Sequence, residues 1–318
     1  MPVSRGWKVA TSSGSSLSSF KPGRYLSLYA DRLLGRLVKH TLAALRRSDP
    51  DRASDWCGAM ARRLGPLTPA HRIGRANLRA AFPEKDSAWL AATLRGAWDN
   101  LGRVAGEYVH LGRLWDYDPA HPDAGRIVTD DELVFVELQN DGKPALCFAA
   151  HLGNWELPAV MAAAHGLPSA VLYRMPNNKA IAREIASIRT PLMGHLIRSR
   201  AQAPLEMAAA LERGEHLGML VDQRFSRGVD VTFFGRRCKA NPSIARLARQ
   251  FDCPVVGVRV IRLPGHRFRI AAEGPFDLPR GADGRIDVQR STQMITSVIE
   301  RWVRDNPDQW LWFHRRWR

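Results

Sequence analysis

A histidine and a carboxylate stand five residues apart, between two apolar stretches of the chain. The run PALCFAA ends at His151, and Glu156 opens the apolar run that follows LGNW. Five residues along a continuous helix would turn the two side chains roughly 140° apart, so they could meet only across a turn, which Gly153 favours. A carboxylate that keeps one imidazole nitrogen protonated leaves the other free to accept a proton, so the pair predicts a general base.

No protein nucleophile accompanies this histidine in the usual pattern, because the sequence contains no GxSxG. The base would therefore activate the hydroxyl of an acceptor substrate directly. The alternative is a strand-end histidine whose hydrogen bonds are only structural. The residues around His151 decide between the two interpretations.

Short β-rich runs alternate with helical stretches from about residue 127 onward. This alternation predicts an α/β fold with a mostly parallel central sheet flanked by helices. We expect HRFRIAAEG to pair antiparallel with PVVGVRVIR, and a last helix near 287–305. His151 would follow a buried strand, at the edge where such sheets bind ligands, and Asn154 would cap a helix that begins at Trp155.

A basic amphipathic helical region is predicted before the sheet. Residues 25–47 place leucines on one stripe and arginines and lysines around it, a pattern that suits either a membrane interface or packing on a core. No run of about 18 apolar residues predicts a spanning helix. We divide the chain into a disordered lead (1–22), a membrane-apposed helical region (23–120) and an α/β core (121–318).

The charge of the chain is strongly positive and uneven. Lys and Arg number 47 against 31 Asp and Glu, and the first 80 residues alone hold 15 against 4. Such a surface attracts nucleic acid, an anionic membrane or an acidic carrier protein. Nucleic-acid binding is not expected, because helix-turn-helix, zinc-finger and RNP patterns are absent. Four scattered cysteines predict neither a disulfide framework nor a zinc site.

Several motifs together resemble one family. HLGNWE is similar to the H-x4-E box of the glycerolipid-type acyltransferases, and its surroundings resemble the late acyltransferases of bacterial lipid A biosynthesis, the lauroyl/myristoyl transferase family. Further similar segments, in the family's order from about residue 25 to the end, are RIGRANLRAAFPE, RGAWDNLGRVAGEY, VLYRMPNN, GMLVDQR, VDVTFFG and DQWLWFHRRWR.

The resemblance implies roles for individual residues. His151 would be the general base and Glu156 its orienting partner, with Arg174 binding a phosphate of the acceptor. Backbone amides around Gly153 would stabilise the oxyanion. Arg174 and Arg224 could instead be surface ion-pair residues, Asp222 a capping carboxylate, and Phe234 with Gly235 a core-and-turn pair. The predicted substrate-binding set is Gly153, Asn154, Trp155, Arg174, Asp222, Gln223, Arg224, Phe234 and Gly235.

The resemblance also implies substrates and a location. The donor would be a fatty acyl thioester on acyl carrier protein or coenzyme A, and the acceptor an anionic phosphorylated glycolipid such as a lipid A precursor. No metal or other cofactor is expected, since the thioester is already activated. The protein would be a peripheral or monotopic protein on the cytoplasmic face of the bacterial inner membrane. Other acceptors (a lysophospholipid, an ornithine lipid or a phosphatidylinositol mannoside) and a non-catalytic membrane-associated relative remain alternatives.

Overall fold

The computed structural model of the 318-residue chain describes most of the sequence. The described residues are 22–118, 120–122, 124–129, 132–176 and 178–317. The predicted disordered lead, 1–22, lies outside them except for its last residue, which begins the first helix.

Helices dominate the first third of the chain and then alternate with strands. They are α1 (Pro22–Arg47), α2 (Pro50–Leu64), α3 (Pro69–Ala81), α4 (Ser87–Glu107), α5 (Leu111–Leu114), α6 (Glu132–Asn140), α7 (Leu157–Ala164), α8 (Lys179–Arg189), α9 (Ala203–Glu212), α10 (Ser243–Phe251) and α11 (Val288–Asp305). The predicted helices over 25–47 and 287–305 are therefore confirmed as α1 and α11.

The strands of the described residues form one large sheet and one hairpin. They are β1 (Ile127–Thr129), β2 (Leu146–Ala149), β3 (Ser169–Tyr173), β4 (His195–Arg198), β5 (His216–Leu220), β6 (Val229–Phe233), β7 (Arg236–Ala240), β8 (Val255–Leu263) and β9 (Arg267–Glu273). The seven-stranded sheet has the order β1-β9-β8-β2-β5-β3-β4, and β6 pairs with β7.

The sheet is parallel except for one pair of strands. β8 and β9 run antiparallel, as predicted from the turn between them, and every other neighbouring pair of the large sheet is parallel. The predicted α/β class with a mostly parallel sheet is confirmed. The sequence prediction missed the three-residue strand β1 and the β6–β7 hairpin, which are too short or too polar to stand out.

Two apolar clusters cover the two faces of the sheet. One holds Leu146, Phe148 and Leu217 with residues of α9, α10 and α11, and the other holds Val256 and Val258 with residues of α5 and α7. Successive side chains of a strand point to opposite faces of the sheet and so belong to different clusters, as Val255 and Val256 of β8 do. Both faces are covered by helices, as expected of a mostly parallel sheet.

The N-terminal helices begin and end at recognisable signals. Asp49 accepts hydrogen bonds from two backbone amides of the first turn of α2, and Asp86 accepts one in α4, which satisfies donors that a helix start leaves open. α2 and α4 pack closely: added Cβ atoms at Gly102 and Gly106 would lie 2.3 and 2.5 Å from backbone oxygens of α2. Within the described ranges, no helix combines the length and apolar composition that crossing a bilayer requires.

Candidate active site

The turn after β2 is fixed by a glycine that no other residue could replace without strain. Gly153 has φ of +56°, and an added Cβ would lie 2.2 Å from the carbonyl oxygen of Val260 on β8. Both conditions favour glycine. The turn places His151 directly past the carboxyl end of β2, as predicted.

Asp222 is the carboxylate that contacts His151. It follows β5, the neighbour of β2, so the parallel sheet brings the two residues to the same edge. Asp222 Oδ1 lies 2.8 Å from His151 Nδ1, and Asp222 Oδ2 accepts the backbone N–H of His151 at 3.0 Å. A proton on Nδ1 leaves Nε2 as an acceptor, and the amide nitrogen of Gln223 lies 3.4 Å from it.

The C-terminal segment supplies a third contact to this carboxylate. The indole N–H of Trp310 donates to Asp222 Oδ2 at 2.8 Å, and Leu311 N–H donates to the carbonyl of His151. Burial alone would raise the pKa of Asp222, but the interaction with His151 and the hydrogen bonds outweigh it, so the pKa lies well below its ordinary value. Asp222 is therefore ionised at neutral pH and can stabilise an imidazolium.

Glu156 does not contact His151, and this corrects the predicted pairing. Its two oxygens bind the guanidinium of Arg189 on α8, at 2.6 Å to Nη2 and 3.1 Å to Nε. The guanidinium also lies over the rings of Tyr108 and Tyr173. The H-x4-E spacing thus serves a buried ion pair that ties the turn to α8, because the helix that begins at Leu157 directs Glu156 away from the imidazole.

Asn154 and Gly153 are structural members of the same turn. Asn154 is fully buried, accepts from Glu156 N–H and donates to Glu107, which forms a bidentate ion pair with Arg262. α7 begins two residues later than predicted, so Asn154 caps the turn rather than a helix starting at Trp155.

One of the backbone amides around Gly153 that were predicted to stabilise the oxyanion is occupied. Gly153 N–H donates to the carbonyl of Gln309 at 3.2 Å. The amide is therefore not available to an oxyanion, and neither Gly153 nor Asn154 lines the cavity described next.

A cavity of about 690 Å³ opens beside His151. It lies between the sheet and α7, with mostly apolar walls that include Trp155, Met161 and Val171. A volume of this size is within the range of sites that enclose a small ligand or a hydrocarbon chain. Asp222 lies behind His151, outside the lining, so it reaches the cavity only through the imidazole.

Two arginines at the cavity have no counter-charge among the described residues. Arg174 follows β3 and Arg224 follows Asp222, and both line the cavity together with Gln223. The hydrogen bonds and ion pairs within the described ranges include none for either guanidinium. Two guanidinium groups that meet no carboxylate within the described ranges can, beside an apolar cavity, bind an anion such as a phosphate.

Phe234 lies in the aromatic core and Gly235 in an exposed turn, and neither lines the cavity. Phe234 is buried, with its ring against Phe82 and Trp312, and Gly235 forms the turn between β6 and β7. Their predicted contact with substrate is therefore not formed, and the core-and-turn alternative describes them. Both have positive φ, which the two-residue turn requires.

Two polar side chains that line the cavity from the strands, Cys147 and His216, are uncharged, whereas Glu156 and Arg189, which also line it, neutralise each other in their ion pair. Burial raises the pKa of the Cys147 thiol to about 12 and lowers the pKa of His216. At neutral pH the thiol is protonated and the imidazole is neutral. The cavity thus offers its occupant neither a thiolate nucleophile nor a charge at this depth.

Sequence reasoning missed residues that come from distant parts of the chain. Arg189, Glu107, Arg262 and Trp310 all hold the turn or Asp222, yet they lie 33 to 155 residues from their partners. One sequence signal could have indicated Asp222 as the partner of His151. Each of the two residues directly follows an apolar run that is predicted to be a strand.

Comparison with known protein families identifies the family of the chain. The family model described as bacterial lipid A biosynthesis acyltransferase matches residues 21–318. No curated protein matches the chain. With a parallel sheet that carries a histidine–aspartate pair at its edge, and a family match over nearly its whole length, the chain belongs to the bacterial lipid A biosynthesis acyltransferases.

Proposed function

We propose that the protein transfers a fatty acyl chain from an acyl thioester to a hydroxyl of a phosphorylated glycolipid, a lipid A precursor. One observation carries the proposal: His151 Nε2 borders an apolar cavity while Nδ1 is held by ionised Asp222. The arrangement places a base for the acceptor hydroxyl next to a cavity that can hold the acyl chain.

The chemistry requires only groups of this chain and the two substrates. His151 Nε2 takes the proton of the acceptor hydroxyl while the hydroxyl oxygen attacks the carbonyl carbon of the thioester. The tetrahedral intermediate collapses with cleavage of the carbon–sulfur bond, and the imidazolium returns the proton to the leaving thiolate. Asp222 stabilises the imidazolium between these two steps. The products are an ester and a free thiol.

The charges of the cavity entrance support an anionic acceptor. Arg174 and Arg224 would bind its phosphate, and Gln223 would fix the orientation of the hydroxyl near Nε2. The net charge of +16 would attract both an acidic carrier protein or coenzyme A and an anionic membrane surface. The location proposed is the cytoplasmic face of the inner membrane, where 23–120, and α1 in particular, would lie against the lipid.

A transfer assay with defined substrates tests the proposal. Purified protein is incubated with acyl thioesters of acyl carrier protein or coenzyme A, together with a lipid A precursor, a lysophospholipid, an ornithine lipid or a phosphatidylinositol mannoside. Product masses are then measured. We expect an ester on the lipid A precursor, and His151→Ala should form it about 10²–10⁴-fold more slowly. An equally active His151→Ala protein with native circular dichroism would refute the assigned base.

A further inference from the structure

The cavity beside His151 extends down the sheet in rows of side chains. β2, β5 and β3 lie side by side, and their register aligns Cys147 with Gly218 and Gly218 with Val171. All three residues are partly exposed although their strands lie inside the sheet, because they line the cavity. Along β2 this row lies four residues before His151, about 13 Å at the rise of an extended strand.

Gly218 lacks the two usual reasons for a glycine in a strand. Its φ lies outside the left-handed region, so the backbone does not require glycine. An added Cβ would meet nothing closer than Ala170 O at 3.9 Å and Val171 Cγ2 at 4.0 Å. Gly257 on β8 differs, since a Cβ there would lie 2.7 Å from Phe148 and 2.8 Å from Trp302. Close packing therefore requires a glycine at position 257. At position 218 a side chain would instead extend into the cavity.

The lining of the cavity continues one row beyond Gly218, to His216 and Ser169, which are paired there. Gly218 therefore lies between His151 and this inner row. A side chain at this position would divide the cavity into an outer part next to His151 and an inner part.

We propose that Gly218 determines the length of the acyl chain that the site accepts, by leaving the inner part of the cavity open to the distal carbons of the chain. The inference rests on the proposed acyl transfer. The occupant is hydrocarbon, because the walls are mostly apolar and the polar groups at depth, Cys147 and His216, are uncharged.

The test compares wild type, Gly218→Ala and Gly218→Val across saturated acyl donors of increasing length. The measured quantity is the ratio of kcat/KM for the longest donor that wild type uses to that for a short donor. One methylene in an apolar pocket changes such ratios by about 10-fold or more. We therefore expect Gly218→Val to lower the ratio at least about 10-fold, with a smaller shift in the same direction for Gly218→Ala. Leu217→Met, on the other face of the same strand, is the control and should leave the ratio unchanged.

Binding separates this inference from the proposed transfer. Native mass spectrometry with free fatty acids of the same lengths reports occupancy without catalysis. If wild type transfers no acyl chain, the proposed function is refuted. Even then, a loss of fatty-acid binding in Gly218→Val that increases with acyl length supports the role of Gly218. If Gly218→Val fails to fold, Gly218→Ala decides, since its Cβ has room. An unaltered length preference in the folded variants, or no fatty-acid binding by wild type, overturns the inference.

Discussion

His151 and the carboxylate that holds it are the residues to which the proposed chemistry is assigned. Asp222 is buried, ionised and hydrogen-bonded to both the ring and the backbone of His151. Glu156 is equally buried but neutralised by Arg189. The two carboxylates therefore have different roles, one acting on the base and the other on the fold.

Substituting each carboxylate by its amide distinguishes these roles. We expect Asp222→Asn to lower kcat by about 10²–10⁴-fold, because an amide cannot stabilise the imidazolium, and this loss should exceed any that follows from its effect on stability. Glu156→Gln should chiefly lower the free energy of unfolding, by about 3 kcal/mol, since Arg189 loses its buried counter-charge. Steady-state kinetics and urea unfolding measure the two effects, with exposed Asp230→Asn as control. The opposite pattern would restore Glu156 as the orienting residue.

Arg174 allows a separate prediction about the acceptor. Arg174→Ala should raise KM for the phosphorylated acceptor about 10-fold or more with kcat nearly unchanged, because a charge-assisted contact to phosphate is lost. Kinetics with intact and dephosphorylated acceptor measure it, and exposed Arg285→Ala is the control. If the variant still prefers the intact acceptor as strongly as wild type does, another residue binds the phosphate.

At the scale of elements, the segment after α11 acts as part of the active site. Residues 310–312 pass beneath the His151 turn, with Trp310 bonded to Asp222 and Trp312 bonded to the carbonyl of Pro307. Both indoles are fully buried. The segment thus fills the core with both tryptophans and orients the carboxylate with Trp310.

Matched substitutions separate packing from orientation. Trp310→Phe and Trp312→Phe each remove one buried indole N–H and should each lower the free energy of unfolding by about 1–3 kcal/mol. Only Trp310→Phe should lower kcat, by about 10-fold, because Asp222 loses a donor. Thermal unfolding and kcat are measured for both proteins. Equal kcat values for the two variants would mean that Trp310 only packs.

The sequence predicted elements well where the pattern is local. Apolar runs indicated β2, β3, β5 and β8, and the position of His151 after β2 followed from them. The partner of His151 could not be predicted in the same way, because H-x4-E spacing is local whereas the pairing with Asp222 depends on β5 lying next to β2. The same holds for Phe234, whose aromatic neighbours are Phe82, directly after α3, and Trp312 of the C-terminal segment.

At the scale of the whole molecule, positive charge and apolar surface occur together on α1. Arg36, Lys39, Arg46 and Arg47 are exposed there, and so is Leu37, at 63%. The other side of the helix packs on α8, where a Cβ at Gly35 would lie 2.7 Å from Ala180. This combination favours attachment to an anionic lipid surface.

We predict a salt-sensitive, peripheral attachment. Replacing Lys39, Arg46 and Arg47 by serine should weaken binding to anionic liposomes about 100-fold, since each cation contributes about 1 kcal/mol, and should hardly change binding to neutral ones. Cosedimentation at low and high salt measures it. The control replaces Arg249, Arg285 and Arg290, exposed residues far from α1 in sequence. Liposome binding that changes with neither the salt concentration nor the lipid charge would contradict the prediction.

The contact between Trp310 and Asp222 joins residues 88 positions apart and has a consequence for how activity is lost on heating. The base is correctly held only while the segment after α11 remains seated under the His151 turn. Local detachment of that segment leaves the sheet intact but the imidazole unsupported. Enzymatic inactivation should therefore begin at a lower temperature than the loss of sheet and helix signal, so that turnover reports whether the segment after α11 is in place.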